Sequence, residues 1–257
     1  MSMAQNNNLI AKLPTSVVHK YLKFCYFILG FLMFSCGNGA TEKTDTKNQD
    51  SEDTNTKQPT EVATNKTKTI LCFGDSITAG YGLDDTNDAF PALLQQKIDS
   101  LGANYTVVNS GLSGETTAGG KSRIDWILKQ DISIFILELG ANDGLRGVPL
   151  SETRSNLQSI IDVVKQKSED TTIILAGMEL PPNMGQDYTQ EFRKMYADLA
   201  QQNQLEFIPF ILKDVGGIPE LNQNDGIHPT VKGHQIVANT VWDVLEPLVL
   251  IDYYNLK

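Results

Sequence analysis

The sequence predicts an α/β protein, a three-layer α/β/α sandwich around a central parallel sheet of about five strands. From Thr69 onward, short apolar runs rich in branched and aromatic residues alternate with helical stripes, as parallel strands joined by crossover helices require. The runs are apolar throughout rather than on alternate residues, which is the pattern of strands covered on both faces. Roughly 190 residues built on one such sheet make a single domain.

In chain order, the strands are expected at Thr69–Phe73, Tyr105–Val108, Ile132–Leu139, Thr172–Gly177 and Leu205–Ile208. Between the first two, Phe90, Leu93, Leu94, Ile98 and Leu101 recur at helical spacing and define one apolar face. Leu157, Ile160, Ile161 and Val164 define another, with Ser151 in position to cap that helix. Ile236, Val237, Val241, Val244 and Leu245 define the last.

The segment before Thr69 is of another kind. Residues 1–35 contain no acidic residue, and Lys12, Lys20 and Lys23 precede the 11-residue apolar run from Phe24 to Phe34. A membrane-spanning helix needs about 20 apolar residues, so a signal peptide over 1–35 is expected, and with it export to the cell envelope. The run closes in Leu32-Met33-Phe34-Ser35-Cys36-Gly37, which resembles the lipobox of bacterial lipoproteins and makes Cys36 the expected lipidation site. Met33 and Phe34 depart from the usual Leu and small residue; a soluble exported protein and a chance apolar stretch are the alternatives. Residues 37–67 hold one Val and no aromatic residue, too little apolar surface to offset the entropy of ordering them. A disordered tether over 36–67 is therefore expected, joining a lipid anchor in the membrane to a folded domain at 68–257.

Lys plus Arg number 21 against 31 Asp plus Glu, a formal net charge of -10, the wrong sign for neutralising phosphates. Nucleic acid is not an expected partner. Cys25, Cys36 and Cys72 are too few and too scattered for a disulfide framework or a four-ligand zinc site. No metal is expected, and nothing in the pattern specifies an oligomeric state.

Ligands of open parallel sheets bind beyond the carboxyl ends of the strands. Gly74-Asp75-Ser76-Ile77-Thr78 follows the first strand, Asn109 to Thr116 the second, and Gly140-Ala141-Asn142-Asp143 the third. Asp225-Gly226-Ile227-His228-Pro229 lies in the loop before the last helix. Histidine is the usual partner for activating a serine, and the chain has three, His19, His228 and His234. His19 falls in the signal and His234 in a helical stripe, where an ordinary helix residue is the expectation. Asp225 can reach one imidazole nitrogen of His228 and leave the other facing outward, the part the acid plays in a triad, although the same spacing suits a surface turn. Ser76 stands where a tight turn can lift its hydroxyl above the sheet, a place serine also takes for turn chemistry alone. Thr78 fills the fifth position, so the G-x-S-x-G elbow pattern is not met. Gly114 can present a backbone N–H and Asn142 a side-chain amide to an oxyanion.

Together these residues resemble the SGNH, or GDSL-like, hydrolase family, in order and over the chain from about residue 68. Phe73 to Thr78 is similar to its first block, Ser113-Gly114-Glu115-Thr116 to its second, Gly140 to Asp143 to its third and Asp225 to Pro229 to its fifth. The resemblance implies a flavodoxin-like sandwich, with Ser76 as nucleophile, His228 as general base and then acid, and Asp225 as its orienting carboxylate. It implies an oxyanion hole formed by the N–H of Ser76, the N–H of Gly114 and the side chain of Asn142. Asp75 and Asp143, from the same blocks, are expected to hydrogen-bond the loops.

Glu138 to Gly147 and Leu180 to Gly185 are most similar to the bacterial arylesterase, lysophospholipase and acyl-CoA thioesterase branch. This implies a cofactor-free serine esterase that hydrolyses carboxylic ester or thioester bonds of acyl substrates through an acyl-serine intermediate. In that branch the loop after the Asn lines the acyl site, which implies Gly144, Leu145, Val148 and Met184 as substrate-binding residues and Arg146 as a loop anchor. The alternatives are a polysaccharide O-acetyl esterase of the same family and, from another class, a non-catalytic surface binding lipoprotein.

Overall fold

The computed structural model describes residues 66–255. The expected signal peptide, Cys36 and all but the last two residues of the expected tether lie outside them. The strands β1 (Lys68–Gly74), β2 (Tyr105–Gly111), β3 (Ile134–Glu138), β4 (Thr172–Ala176) and β5 (Glu206–Ile208) form one sheet in the order β2-β1-β3-β4-β5, every neighbouring pair parallel. The five expected strands are thus all present. The chain leaves β1 for one side and then crosses to the other, the order of a flavodoxin-like doubly wound sheet. β2 runs three residues further than expected, pairing Asn109, Ser110 and Gly111 with Cys72, Phe73 and Gly74. β3 is shorter than expected at both ends.

The helices are α1 (Ser76–Ala79), α2 (Phe90–Leu101), α3 (Thr117–Ile127), α4 (Ala141–Leu145), α5 (Leu150–Lys167), α6 (Gln186–Asn203) and α7 (Val231–Asn255). α2 and α7 pack together on one face of the sheet, and α3, α5 and α6 on the other, completing the three layers. Phe90, Leu94 and Ile98, one turn apart on α2, are fully buried, each contributing about 1.5–3 kcal/mol by leaving water. Pro91 starts that helix, and Gly102 ends it at a φ of 66° that glycine adopts without steric penalty.

One local expectation needs correction, and two helices escape the sequence reading. α5 begins at Leu150, and the Pro149 carbonyl accepts the N–H groups of Glu152 and Thr153 at 2.9 and 3.1 Å. Ser151 therefore sits inside the first turn rather than capping it. α3 is missing from the apolar stripes because Gly119 and Gly120 interrupt it and only Thr117, Gly120 and Ile124 are buried. α6 is missing although Phe192, Met195, Tyr196 and Leu199 carry helical spacing and are buried.

His234 is more than an ordinary helix residue. It is buried in the first turn of α7, where Nδ1 accepts the Phe90 N–H at 3.3 Å and Nε2 has no partner. Burial, and then the charge of His228, push its imidazole down from 6.5 to about 4. The unfolded chain therefore takes up a proton near pH 6.5 that the folded protein refuses. The stability His234 contributes is complete above that pH and falls by about 1.4 kcal/mol per unit as pH drops toward 4. The unfolding free energy of the wild type minus that of His234→Asn, from urea titrations across this range, should shrink at that rate. A difference independent of pH would rule the linkage out.

Candidate active site

β2 and β3 flank β1, so the loops leaving β1 and β3 part at the switch point and open a crevice beyond the carboxyl end of the sheet. Ser76 stands there as the first residue of α1, nearly buried at 8% exposure. Asp75 caps the helix, its carboxylate accepting the Ile77 N–H at 3.1 Å and its carbonyl the Ala79 N–H at 2.9 Å. The cap fixes where the serine hydroxyl points.

His228 arrives from the loop before α7. Its Nε2 lies 2.9 Å from Ser76 Oγ, and its Nδ1 lies 2.7 Å from Asp225 Oδ2. The second oxygen of Asp225 accepts the backbone N–H groups of Ile227 and His228 at 3.0 and 3.1 Å. Partial burial pushes the Asp225 carboxyl up, but the imidazole and these two N–H groups outweigh it and bring the group down to about 2. An ionised Asp225 is satisfied by a proton on Nδ1, which leaves Nε2 as acceptor for the serine hydroxyl; the hydrogen-bond pattern assigns this tautomer. The surface-turn alternative is thus a turn that serves the site.

Two residues outside the sequence expectation hold this loop over Ser76. The Gln223 N–H donates to the His228 carbonyl at 2.7 Å, and its side-chain amide donates to the carbonyls of Tyr81 and Pro229 at 2.7 and 3.0 Å. The half-exposed Tyr81 ring lies with its centroid 4.7 Å from that of His228. Nothing in local sequence marks either residue, because their contacts join the two ends of the domain.

Gly114 has a φ of 79°, and Arg146 donates to its carbonyl at 3.2 Å, the loop-anchoring contact expected of that arginine. The Asn142 side-chain nitrogen donates to Asp75 Oδ2 at 3.0 Å and to the Glu115 carbonyl at 3.1 Å. Both amide hydrogens are therefore engaged, and serving an oxyanion means turning one of them toward the substrate. Asp143 accepts the N–H and hydroxyl of Thr117 at 2.8 and 2.5 Å, tying α4 to the start of α3. Both aspartates hydrogen-bond the loops, as expected. Arg123 clamps the second segment in place. It pairs through two nitrogens with buried Glu115, donates to the hydroxyl and carbonyl of Ser110 at 2.9 Å each, and lies over the Phe73 ring.

The four residues expected to line the acyl site do not share one environment. Gly144 is buried, and a Cβ there would stand 2.5 Å from Leu180 and 2.9 Å from Phe192, so its lack of a side chain serves close packing against the core. Leu145 is exposed. Val148 is half-buried, with its carbonyl accepting the Tyr188 hydroxyl at 3.2 Å. Met184 packs partly buried against the core. Leu112, Leu145 and Ile227 are exposed apolar residues on segments that carry Gly114, Asn142 and His228.

A hydroxyl, an imidazole and a carboxylate in series above a doubly wound sheet make this a serine hydrolase. The profile of the GDSL-like Lipase/Acylhydrolase family matches residues 72–236. The chain is 39% identical over 183 residues to Esterase TesA of Pseudomonas aeruginosa, covering 71% of this chain and 90% of that protein. It is 36% identical over 182 residues to Thioesterase 1/protease 1/lysophospholipase L1 of Escherichia coli K12, covering 70% and 85%. The crystal structure of the psychrotrophic esterase EstA from Pseudoalteromonas sp., inhibited by monoethylphosphonate, matches with a TM-score of 0.66 at 30% identity, covering 71% of this chain and 98% of that one. The chain belongs to the GDSL-like lipase/acylhydrolase family and is an ester-hydrolysing serine hydrolase.

Proposed function

We propose that the protein hydrolyses carboxylic esters and thioesters of acyl chains through an acyl-serine intermediate, and the Ser76–His228–Asp225 series carries this reading. His228 Nε2 takes the Ser76 proton as Oγ attacks the acyl carbonyl carbon. The oxyanion forms against the N–H groups of Ser76 and Gly114 and the Asn142 amide. Collapse breaks the bond to the leaving oxygen or sulfur, which receives the proton from His228. Water then gives a proton to His228 as its oxygen attacks the acyl carbon. Collapse breaks the bond to Ser76 Oγ, which takes that proton back from His228 as the acid leaves. Asp225, ionised over the working range, holds the imidazole in its tautomer throughout.

The exposed Leu112, Leu145 and Ile227 favour an apolar acyl group over the acetylated sugars of the O-acetyl esterase alternative. Hydrolysis of nitrophenyl esters of increasing chain length, beside acetylated polysaccharide and lysophospholipid, tests this. Rates that rise beyond acetate, or turnover of lysophospholipid, support the acyl reading; preference for the polysaccharide overturns it. A fluorophosphonate should add its mass to Ser76, and a protein that refuses the label is the non-catalytic binding module.

We further propose export and attachment to an envelope membrane through a lipid on Cys36, supported by the lysine-flanked apolar run and the polar stretch after it. Cys36→Ser should release the protein into a soluble fraction, or leave the signal uncleaved, with unchanged activity per folded molecule. A wild-type protein recovered soluble without added mass on Cys36 refutes the anchor.

A further inference from the structure

Beneath the nucleophile turn lies a second acid that the hydrolytic chemistry leaves unused. β3 reads Ile134-Phe135-Ile136-Leu137-Glu138, four apolar residues and then a carboxyl, and Glu138 is 0% exposed. Its register partner on β1 is Gly74, the residue before Asp75 and Ser76. Glu138 Oε2 accepts the Asp75 N–H at 3.2 Å and the Thr78 hydroxyl at 2.7 Å, so one oxygen holds the residues on both sides of Ser76. A Cβ on Gly74 would stand 2.1 Å from Thr78 Oγ1 and 2.4 Å from Glu138 Oε2; only glycine lets the turn seat against the acid. Glu138 Oε1 is buried without a hydrogen-bond partner.

Asp75 is the other carboxyl in this pocket. It receives the Ile77 N–H on one oxygen at 3.1 Å and the Asn142 amide on the other at 3.0 Å, a donor set that suits an ionised group. Burial raises it to about 6, with those donors and the charge of His228 opposing the rise. Glu138 has donors on one oxygen alone. Burial first, and the Asp75 charge second, push its carboxyl well above the ordinary range. The other titratable groups facing it, Cys72 on β1 and Tyr196 on α6, are themselves buried and pushed up, so both stay neutral, and neither residue type can supply a compensating positive charge.

We propose that Glu138 is a positioning residue for this hydrolysis: as an uncharged carboxylic acid it braces the Asp75–Thr78 turn from beneath, so that Ser76 meets His228 while Asp75 alone carries the charge that holds Asn142. The proposal rests on the Ser76–His228 chemistry, and Glu138 acts through the turn without touching substrate. A glutamine is the conservative replacement, since it keeps an oxygen for both donors and is neutral at every pH.

The test compares the full chain with Glu138→Gln, Glu138→Ala and Ser76→Ala on a soluble nitrophenyl ester. Glu138→Ala should lower kcat about 10- to 100-fold, with KM within about threefold, because a small misplacement of the nucleophile acts on the chemical step. Glu138→Gln should restore kcat to within about fivefold of the wild type. Equal losses in both variants overturn the uncharged acid, and an unchanged kcat in Glu138→Ala overturns the positioning role. Should Glu138→Ala fail to fold, Thr78→Val removes one of the two donors to Glu138, and a kcat equal to wild type there overturns the brace. Infrared spectra at pH 8 supply a readout independent of rate: the wild type should show a protonated carboxylic-acid stretch that Glu138→Gln lacks, and its absence from the wild type overturns the proposal. Ser76→Ala separates the two levels. Activity retained in that variant sinks the underlying chemistry, whereas an inactive Ser76→Ala beside a fully active Glu138→Ala sinks the brace alone.

Discussion

Ser76→Ala and His228→Ala should each remove nearly all ester hydrolysis, with kcat down on the order of 10⁴- to 10⁶-fold, and the double variant should fall little further. The losses do not add because serine and imidazole act as one proton-transfer unit across their 2.9 Å contact. Neither change should unfold the domain. The cap on α1 is made by the Asp75 carboxylate and carbonyl, which Ser76→Ala leaves in place. Asp225 keeps the N–H groups of Ile227 and His228 when the imidazole goes, and its side chain is 40% exposed. Turnover of a soluble ester, measured beside circular dichroism, checks both points. Substantial activity in Ser76→Ala means the nucleophile lies elsewhere. Since Asp225 stays ionised down to about pH 2, a loss of rate on mild acidification does not come from that carboxylate.

Asn142→Ala should lower kcat about 10²- to 10³-fold with KM changed much less, the effect of losing one donor that matters mainly in the transition state. In the resting enzyme that amide bridges Asp75 and the Glu115 carbonyl, so the substitution also takes a donor from a buried carboxylate. Asp75 should then titrate above its present value of about 6. A variant that loses binding but keeps turnover would instead place Asn142 in substrate recognition.

The strands are legible in the sequence because burial on both faces writes an unbroken apolar run, and the run from Ile134 to Leu137 can hardly be anything else. Once they are placed, Ser76 and Asn142 fall at strand ends by counting. The DxxH spacing finds His228 because a three-residue turn brings Asp225 to it locally. α3 is not legible, since the purpose of Gly120 is a tertiary contact: a Cβ there would stand 2.4 Å from Leu139. Gln223 and Tyr81 meet across 142 positions, and no local pattern encodes that. Glu138 does leave a signal, a charge closing an apolar run, but its meaning depends on Gly74 lying beside it on β1.

The serine and its base lie 152 positions apart, one at the end of the first strand and the other just before the last helix. Closing a loop of that length costs about 4 kcal/mol of chain entropy, which only the assembled sheet and its covering helices can offset. A chain still on the ribosome, having made five-sixths of its length, carries the hydroxyl without the imidazole. A cleaved or half-melted chain has lost the register that brings them together. Competence therefore arrives with a long-range contact, and turnover reports the integrity of the whole domain.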